Sequence, residues 1–159
     1  MLPSPKPITP FNLCRANETD IVHIRQLPVR QQVETKEQFI ETVRYVHAMG
    51  HYHNQERATD NWLSADVIAL DIDNDGQPTS VWDKPEDWTT IQQFQADFSD
   101  YEFWIVESKN HNKNKRSNSG IRVARPKFHV YFPLQKQLTD PNKYQQSIQE
   151  KIGIIIMNY

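Results

Sequence analysis

Apolar and polar positions follow three different rhythms along this chain. Thr35-Lys36-Glu37-Gln38 has the form of a capping box, in which a Thr hydroxyl and a Gln side chain satisfy backbone donors reciprocally. Phe39, Ile40, Val43, Val46 and Met49 follow at helical spacing, and Gly50 stands where a C-terminal cap belongs, so a helix is predicted over 35–50. The stretch 66–73, Asp-Val-Ile-Ala-Leu-Asp-Ile-Asp, is a short β-branched run ending in carboxylates and predicts a strand buried on both faces. Asn74-Asp75-Gly76 breaks it at once. A second helix is predicted from Pro85, with Glu86 and Asp87 suiting its dipole and Trp88, Ile91, Phe94 and Phe98 forming its apolar face. Strands are predicted over 102–107 and over 126–134, the latter alternating and closed by Pro133. Between them 109–120, rich in Asn, Lys and Ser, predicts a loop. Thr139-Asp140-Pro141 begins a third helix with Tyr144, Ile148 and Ile152 on one side. Five of the ten prolines fall in 1–34, which predicts an extended arm with a short strand at 21–27. The order helix, strand, helix, strand, loop, strand, helix predicts an α+β domain with a mixed or antiparallel sheet.

The 159 residues suffice for one domain, with 1–34 as its arm and 35–159 as its body. Seventeen large aromatic rings (seven Phe, six Tyr, four Trp) compensate for a lean 37% hydrophobic content. Four glycines argue against repeats and a Gly-rich phosphate loop. The single Cys14 excludes a disulfide framework and a Cys-based zinc knuckle within this chain. No apolar stretch approaches the ~18 residues that span a bilayer, and the N-terminus lacks a signal-peptide core. The expectation is a soluble, cytoplasmic domain without a membrane partner.

Net charge is only −2, but its distribution is uneven. Residues 60–107 hold twelve acids and one base, Lys84, a local net of −11. Residues 108–127 hold seven bases and no acid. Two solvated faces would look the same. A site that holds metal ions through carboxylates and phosphates through bases needs both.

Asp71 and Asp73 share one face of the predicted strand, their Cα atoms roughly 6–7 Å apart. Two such carboxylates can hold divalent cations, and oxygen ligands favour Mg²⁺ or Mn²⁺ over zinc. Asp71, Asp73, Asp75 and Gly76 also match the opening of an EF-hand loop, but its twelfth position is Trp82 where a Glu is required. In Arg125-Pro126-Lys127-Phe128-His129, Lys127 and His129 share a face opposite Phe128 and Val130. Lys127 and His129 could contact phosphates, and Arg125 could grip one bidentately. His47, His51 and His53 have near-ligand spacing, but Gly50 interrupts the helix and no Glu lies between the first two. No Ser-His-Asp or Cys-His arrangement can be assembled from spacing.

The segments Val67-Ile-Ala-Leu-Asp71-Ile-Asp73 and Arg125-Pro-Lys-Phe-His129-Val-Tyr-Phe together resemble the first two motifs of archaeo-eukaryotic primases, closest to bacterial and mobile-element primase-polymerases. The resemblance runs from about Thr35 to Leu134 and implies an RRM-like catalytic sheet with a smaller N-terminal α/β unit. It implies a DNA primase or polymerase, a metal-dependent nucleotidyltransferase of DNA replication, working on a DNA template and primer with dNTP or NTP. A replication helicase or other mobile-element proteins would be further partners. It makes Asp71 and Asp73 the ligands of catalytic Mg²⁺ or Mn²⁺, and it gives His129 a catalytic and nucleotide-binding place. Lys127 and Arg125 would contact the nucleotide's phosphates, with Ser108, Lys109 and His111 beside nucleotide or template. Many relatives carry Ser or Thr where this chain has Lys127. The family's third, strand-borne Asp is not evident, since Asp140 and Glu150 fall at or in the third predicted helix. The expectation is therefore a catalytic domain truncated before its third motif. Two other readings are a non-catalytic nucleic-acid or nucleotide-binding module and a replication-initiator endonuclease. The latter lacks its second His, since Lys127 and Tyr131 flank His129 at the required spacing.

Overall fold

The computed structural model describes residues 8–19, 24–74, 85–117 and 120–157. The chain is α+β with three antiparallel-paired sheets. Two compact units are formed, Met1–Ile68 with Phe132–Ile148, and Ala69–Tyr131 with Gln149–Tyr159. No helix among the described residues is long and apolar enough to cross a membrane.

The first unit begins where an extended arm was expected. Phe11–Arg15 (β1) and Val29–Val33 (β2) pair antiparallel from Phe11↔Val33 to Arg15↔Val29. Phe11, Leu13 and Val33 are fully buried, and that apolar surface is what draws a Pro-rich segment into a sheet. The strand expected at 21–27 falls partly outside the described residues; of its described part, Gln26 makes only an isolated bridge to Glu56. The helix Lys36–Val43 (α1) starts on the predicted capping box, with Thr35 Oγ1 accepting from Gln38 N and Gln38 Oε1 accepting from Thr35 N. It buries Phe39 and Thr42, and Phe39 packs edge-on to Phe11 at 6.3 Å.

This helix is half the predicted length. His47–Ala48 (β3) pairs with β1 through Cys14↔Ala48 and Arg15↔His47, completing the sheet β2-β1-β3. Gly50–Tyr52 (β4) follows instead of a helix cap. Backbone pairing with an available strand outweighs the helical spacing of Val46 and Met49. Ile40, assigned by that spacing to the apolar face, is 48% exposed.

Trp62–Ile72 (β5) is the predicted strand carried back to Trp62, directly after a 3-10 turn at Thr59–Asn61, and it ends one residue short of Asp73. Phe128–Leu138 (β9) passes through Pro133 rather than stopping there. Trp104–Glu107 (β6) pairs only with 128–131 of β9, so the N–H that Pro133 lacks interrupts no bond to β6. The sheet order is β4-β5-β9-β6. The second predicted helix shrinks to a 3-10 turn, Pro85–Asp87, and a separate helix Ile91–Asp97 (α2) whose cap is Thr90. Phe94 and Phe98 stack at 4.4 Å, and Phe94 meets Phe103 and Phe128 edge-on, forming the aromatic core of the second unit.

The predicted loop also holds strands: Lys115–Ser117 (β7) and Gly120–Arg122 (β8) form a hairpin with Lys115↔Arg122 opposite each other. Pro141–Met157 (α3) begins as predicted, with Asp140 Oδ1 accepting from Asn142 N at 2.9 Å. It continues to Met157.

A polar tie crosses the first unit. Cys14 Sγ lies 3.3 Å from His51 Nδ1, and His51 Nε2 faces Asp66 Oδ2 at 3.9 Å. Asn12 holds Asp66 by its backbone N–H (2.9 Å) and by Nδ2 (2.8 Å). The opposite ring nitrogens serve sulfur and carboxylate, so these three groups do not converge on one ligand. At 3.9 Å the His51–Asp66 contact is one of charge rather than a formed hydrogen bond. The Asp66 carboxylate, then the Cys14 contact, raise the His51 pKa against burial to about 9. Folding therefore favours the protonated ring, and its stabilisation is complete below the ordinary pKa of 6.5 and gone once pH passes about 9. Thermal melts should show a midpoint that falls from pH 6.5 to 9, with most of that slope removed in Asp66→Asn; a slope that survives in this variant would assign it elsewhere.

Candidate active site on the second unit

The end of β5 and the start of β9 bring together four charged side chains. Lys127 Nζ donates to Asp73 Oδ1 at 2.7 Å, joining residues 54 apart in sequence. His129 Nε2 faces Asp71 Oδ1 at 3.3 Å. Phe128 and Val130 are fully buried, so the alternation of β9 places Lys127 and His129 opposite the core, as predicted. Asp71 stands next to last in β5 and Asp73 just beyond it, where the buried run of Val67, Ile68 and Leu70 gives out.

The cluster is electrically coupled. The Asp71 carboxyl is held below its ordinary value by His129 against the opposing effect of burial, with the Lys127 charge adding to it. His129 is raised above its ordinary value by Asp71, again against burial, and the Asp73 charge contributes. His129 thus stays a cation to higher pH than a free imidazole. Both carboxylates remain open to solvent, with side-chain exposures of 65% for Asp71 and 42% for Asp73.

The backbone beneath this cluster is fixed by two residues. Asn74 has φ 49°, a left-handed conformation that Asn tolerates better than most residues. Its Nδ2 donates to the carbonyls of Thr89 (3.0 Å) and Pro126 (2.8 Å), and its Oδ1 accepts from Thr89 N (2.8 Å). One side chain therefore clamps the chain after Asp73 to the segments leading into α2 and β9. Arg125, predicted to reach outward for a phosphate, is 2% exposed and donates from Nε to the Asp73 carbonyl at 3.0 Å. Burial of a guanidinium beneath a paired carboxylate makes it a support for Asp73. In sequence Asn74 has the character of a breaker only; the cue to more is an Asn directly after a rigid strand end.

The remaining predicted residues divide. Ser108 N donates to the Lys127 carbonyl at 2.9 Å. His111 Nδ1 sits 2.9 Å from that carbonyl and 3.2 Å from Lys127 N, so either tautomer finds a backbone partner. Asn112 N donates to the Arg125 carbonyl, and Ala124 N to Asn114 Oδ1. These bonds extend the β6–β9 pairing outward to the β7–β8 hairpin. Lys109 is exposed on the turn and its carbonyl accepts from Lys113 Nζ. No contact from Lys109 to the charged cluster is seen among the described residues. The EF-hand-like positions Asp75, Gly76 and Trp82 lie outside the described residues. His47 and His51 point to separate partners, the Tyr45 carbonyl and Cys14.

Two solvent-open carboxylates, one of them held ionised, suit a hard cation that takes one or two carboxylates and keeps its waters. Among the described residues no three of His, Cys, Asp and Glu gather as a ready metal site. Comparison with protein-family models, curated proteins and solved structures finds no match.

Asn74→Ala removes three hydrogen bonds and leaves a non-Gly residue at positive φ without its local support. It should destabilise the chain by about 2 kcal/mol or more in denaturant unfolding; a loss within about 0.5 kcal/mol, the norm for surface substitutions, would deny the clamp. By NMR, the His129 titration midpoint should lie above that of a free imidazole and drop in Asp71→Asn. A midpoint indifferent to that substitution would contradict the pairing.

Proposed function

We propose that the second unit is a metal-dependent nucleotidyltransferase site of the primase-polymerase type, acting on a DNA template and primer with dNTP or NTP. The observation that supports it most is the meeting of Asp71 and Asp73 with Lys127 and His129 on neighbouring strands. This is the pairing of carboxylates and phosphate-binding bases that the two sequence motifs imply.

Asp71 and Asp73 would hold Mg²⁺ or Mn²⁺. Such an ion would supply Lewis-acid activation of a hydroxyl and neutralisation of phosphate charge. The chain's own groups account for the rest. Lys127 is a point charge for a phosphate oxygen, and protonated His129 is a directional donor beside it. The reaction would break the primer 3′-O–H bond with its proton passing to solvent, form the bond from that oxygen to the α-phosphorus and release pyrophosphate. Its developing negative charge falls where these two cations stand. Arg125 and Asn74 position the backbone of Asp73 and take no part in the chemistry. Ser108 and His111 hold the backbone of Lys127 and so set its reach. The β7–β8 hairpin and its approaches contain Lys109, Lys113, Lys115, Arg116 and Arg122, a basic stretch suited to the backbone of a template strand.

The binding-module reading is favoured by one contact, the 2.7 Å Lys127–Asp73 ion pair, which neutralises a carboxylate internally. Primer extension with Mg²⁺ or Mn²⁺ separates the two. The proposed activity predicts incorporation that falls by about 10³-fold or more in Asp71→Ala/Asp73→Ala. Incorporation equal in wild type and double variant would remove the site. Salt-sensitive DNA binding with no incorporation at any metal concentration would leave the binding module.

A further inference from the structure

The first unit contains a cleft of about 350 Å³ that plays no part in the carboxylate cluster. Its walls are aromatic. The rings of Trp62, at the start of β5, and Tyr144, in the first turn of α3, lie 5.6 Å apart and tilted by 38°. Tyr52 of β4 adds a third ring to the lining. Gly50 makes this possible: a Cβ there would lie 2.7 Å from Trp62 Cδ1 and Nε1 and 2.9 Å from the Tyr52 hydroxyl. The absence of a side chain at position 50 is what lets the indole and the phenol close over the backbone.

The rim carries a cation. Arg57 lines the cleft, is exposed, and has its backbone N–H anchored on the Arg25 carbonyl at 2.8 Å. Its charge reaches the Tyr52 phenol, where it opposes the upward effect of burial on that group. Among the described residues no ion pair involves Arg57. Gln145, also in the lining, offers an amide that can donate and accept. The volume lies near the lower end of the ~300–1,000 Å³ typical of ligand pockets, room for one planar group and its immediate attachment.

We propose that this cleft binds a nucleobase together with its phosphate, the base against Trp62 and Tyr144 and the phosphate on Arg57. Flat aromatic walls accept any base face, and a guanidinium grips a phosphate through paired N–H donors. The identification of the planar ring as a nucleobase rests on the nucleotidyl-transfer reading, although the two sites share no residue. Single-stranded nucleic acid and a free nucleotide present the same base-and-phosphate chemistry.

The test uses the full chain with a fluorescein-labelled oligothymidylate, read by anisotropy, and with an iododeoxyuridine version cross-linked by light and mapped by mass spectrometry. Arg57→Gln and Trp62→Leu should each weaken binding by about tenfold, and Arg57→Gln should lower the salt slope by about one contact. The cross-link should map to Trp62, Tyr52 or Tyr144. Competition by an unlabelled mononucleotide at matched base concentration assigns the site to free nucleotides; competition only by oligonucleotide assigns it to a strand. Wild-type affinity in Arg57→Gln, whose exposed side chain can change without unfolding the chain, overturns the proposal. So does a cross-link wholly outside the cleft. Incorporation is read by primer extension and this site by anisotropy and the cross-link map, so loss of the incorporation reading and loss of this site are separate results.

Discussion

The fold and both sites depend on one eleven-residue strand, Trp62–Ile72, most of whose centre is buried. Ser64, Ala65, Val67, Ile68 and Leu70 are all buried, so the strand requires covering on both sides and takes neighbours on both edges, β4 and β9. Its functional consequences lie at its ends. At the start, Trp62 packs over Gly50 and against Tyr144. In the middle, Asp66 is the polar exception, matched to Asn12 and His51. At its end Asp71, and just past it Asp73, emerge into solvent, with the backbone after the strand held by Arg125 and Asn74.

Charge in this chain is arranged by strand pairing rather than by segment. The acidic stretch and the basic stretch look like separate solvated regions in sequence. Neighbouring positions of β5 and β9 in one sheet convert part of them into two short ion pairs, Asp71–His129 and Asp73–Lys127. Surface pairs of this kind add little to stability. Their consequence is chemical: an imidazole kept cationic beside two accessible carboxylates. The same chain contains a second His–Asp pair, His51–Asp66, but there both partners are enclosed, and the effect is on stability. Exposure decides which role an equivalent pair takes.

The legible parts of the sequence were those governed by local rules. The capping box at Thr35, the Asp140 cap of α3 and the alternation through 128–130 are each complete within a few residues, and each is observed. The strand ending in Asp71 and Asp73 was legible because its apolar run is too short for a helix and too β-branched for a loop. What was not legible was decided by partners distant in sequence. Val46 and Met49 keep helical spacing, yet β3 forms because β1 offers an edge. Phe11 and Leu13 lie among prolines and become core only once β2 and α1 cover them. Arg125 reads as a phosphate ligand beside Lys127, but tertiary packing turns it inward to the Asp73 carbonyl. Cys14, His51 and Asp66 come from three strands, so no spacing could reveal their contact.

The central claim is that Asp71 and Asp73 form a cation site with His129 at its edge. The most direct measurement is the NMR spectrum of the six histidine rings during Mn²⁺ titration, in wild type and in Asp71→Asn/Asp73→Asn. A Mn²⁺ ion on the two carboxylates should broaden the His129 resonances at low metal concentration in the wild type, and that early broadening should vanish in the double variant. Early His129 broadening that persists without the carboxylates, or His129 resonances that stay sharp while other rings broaden, would contradict the account.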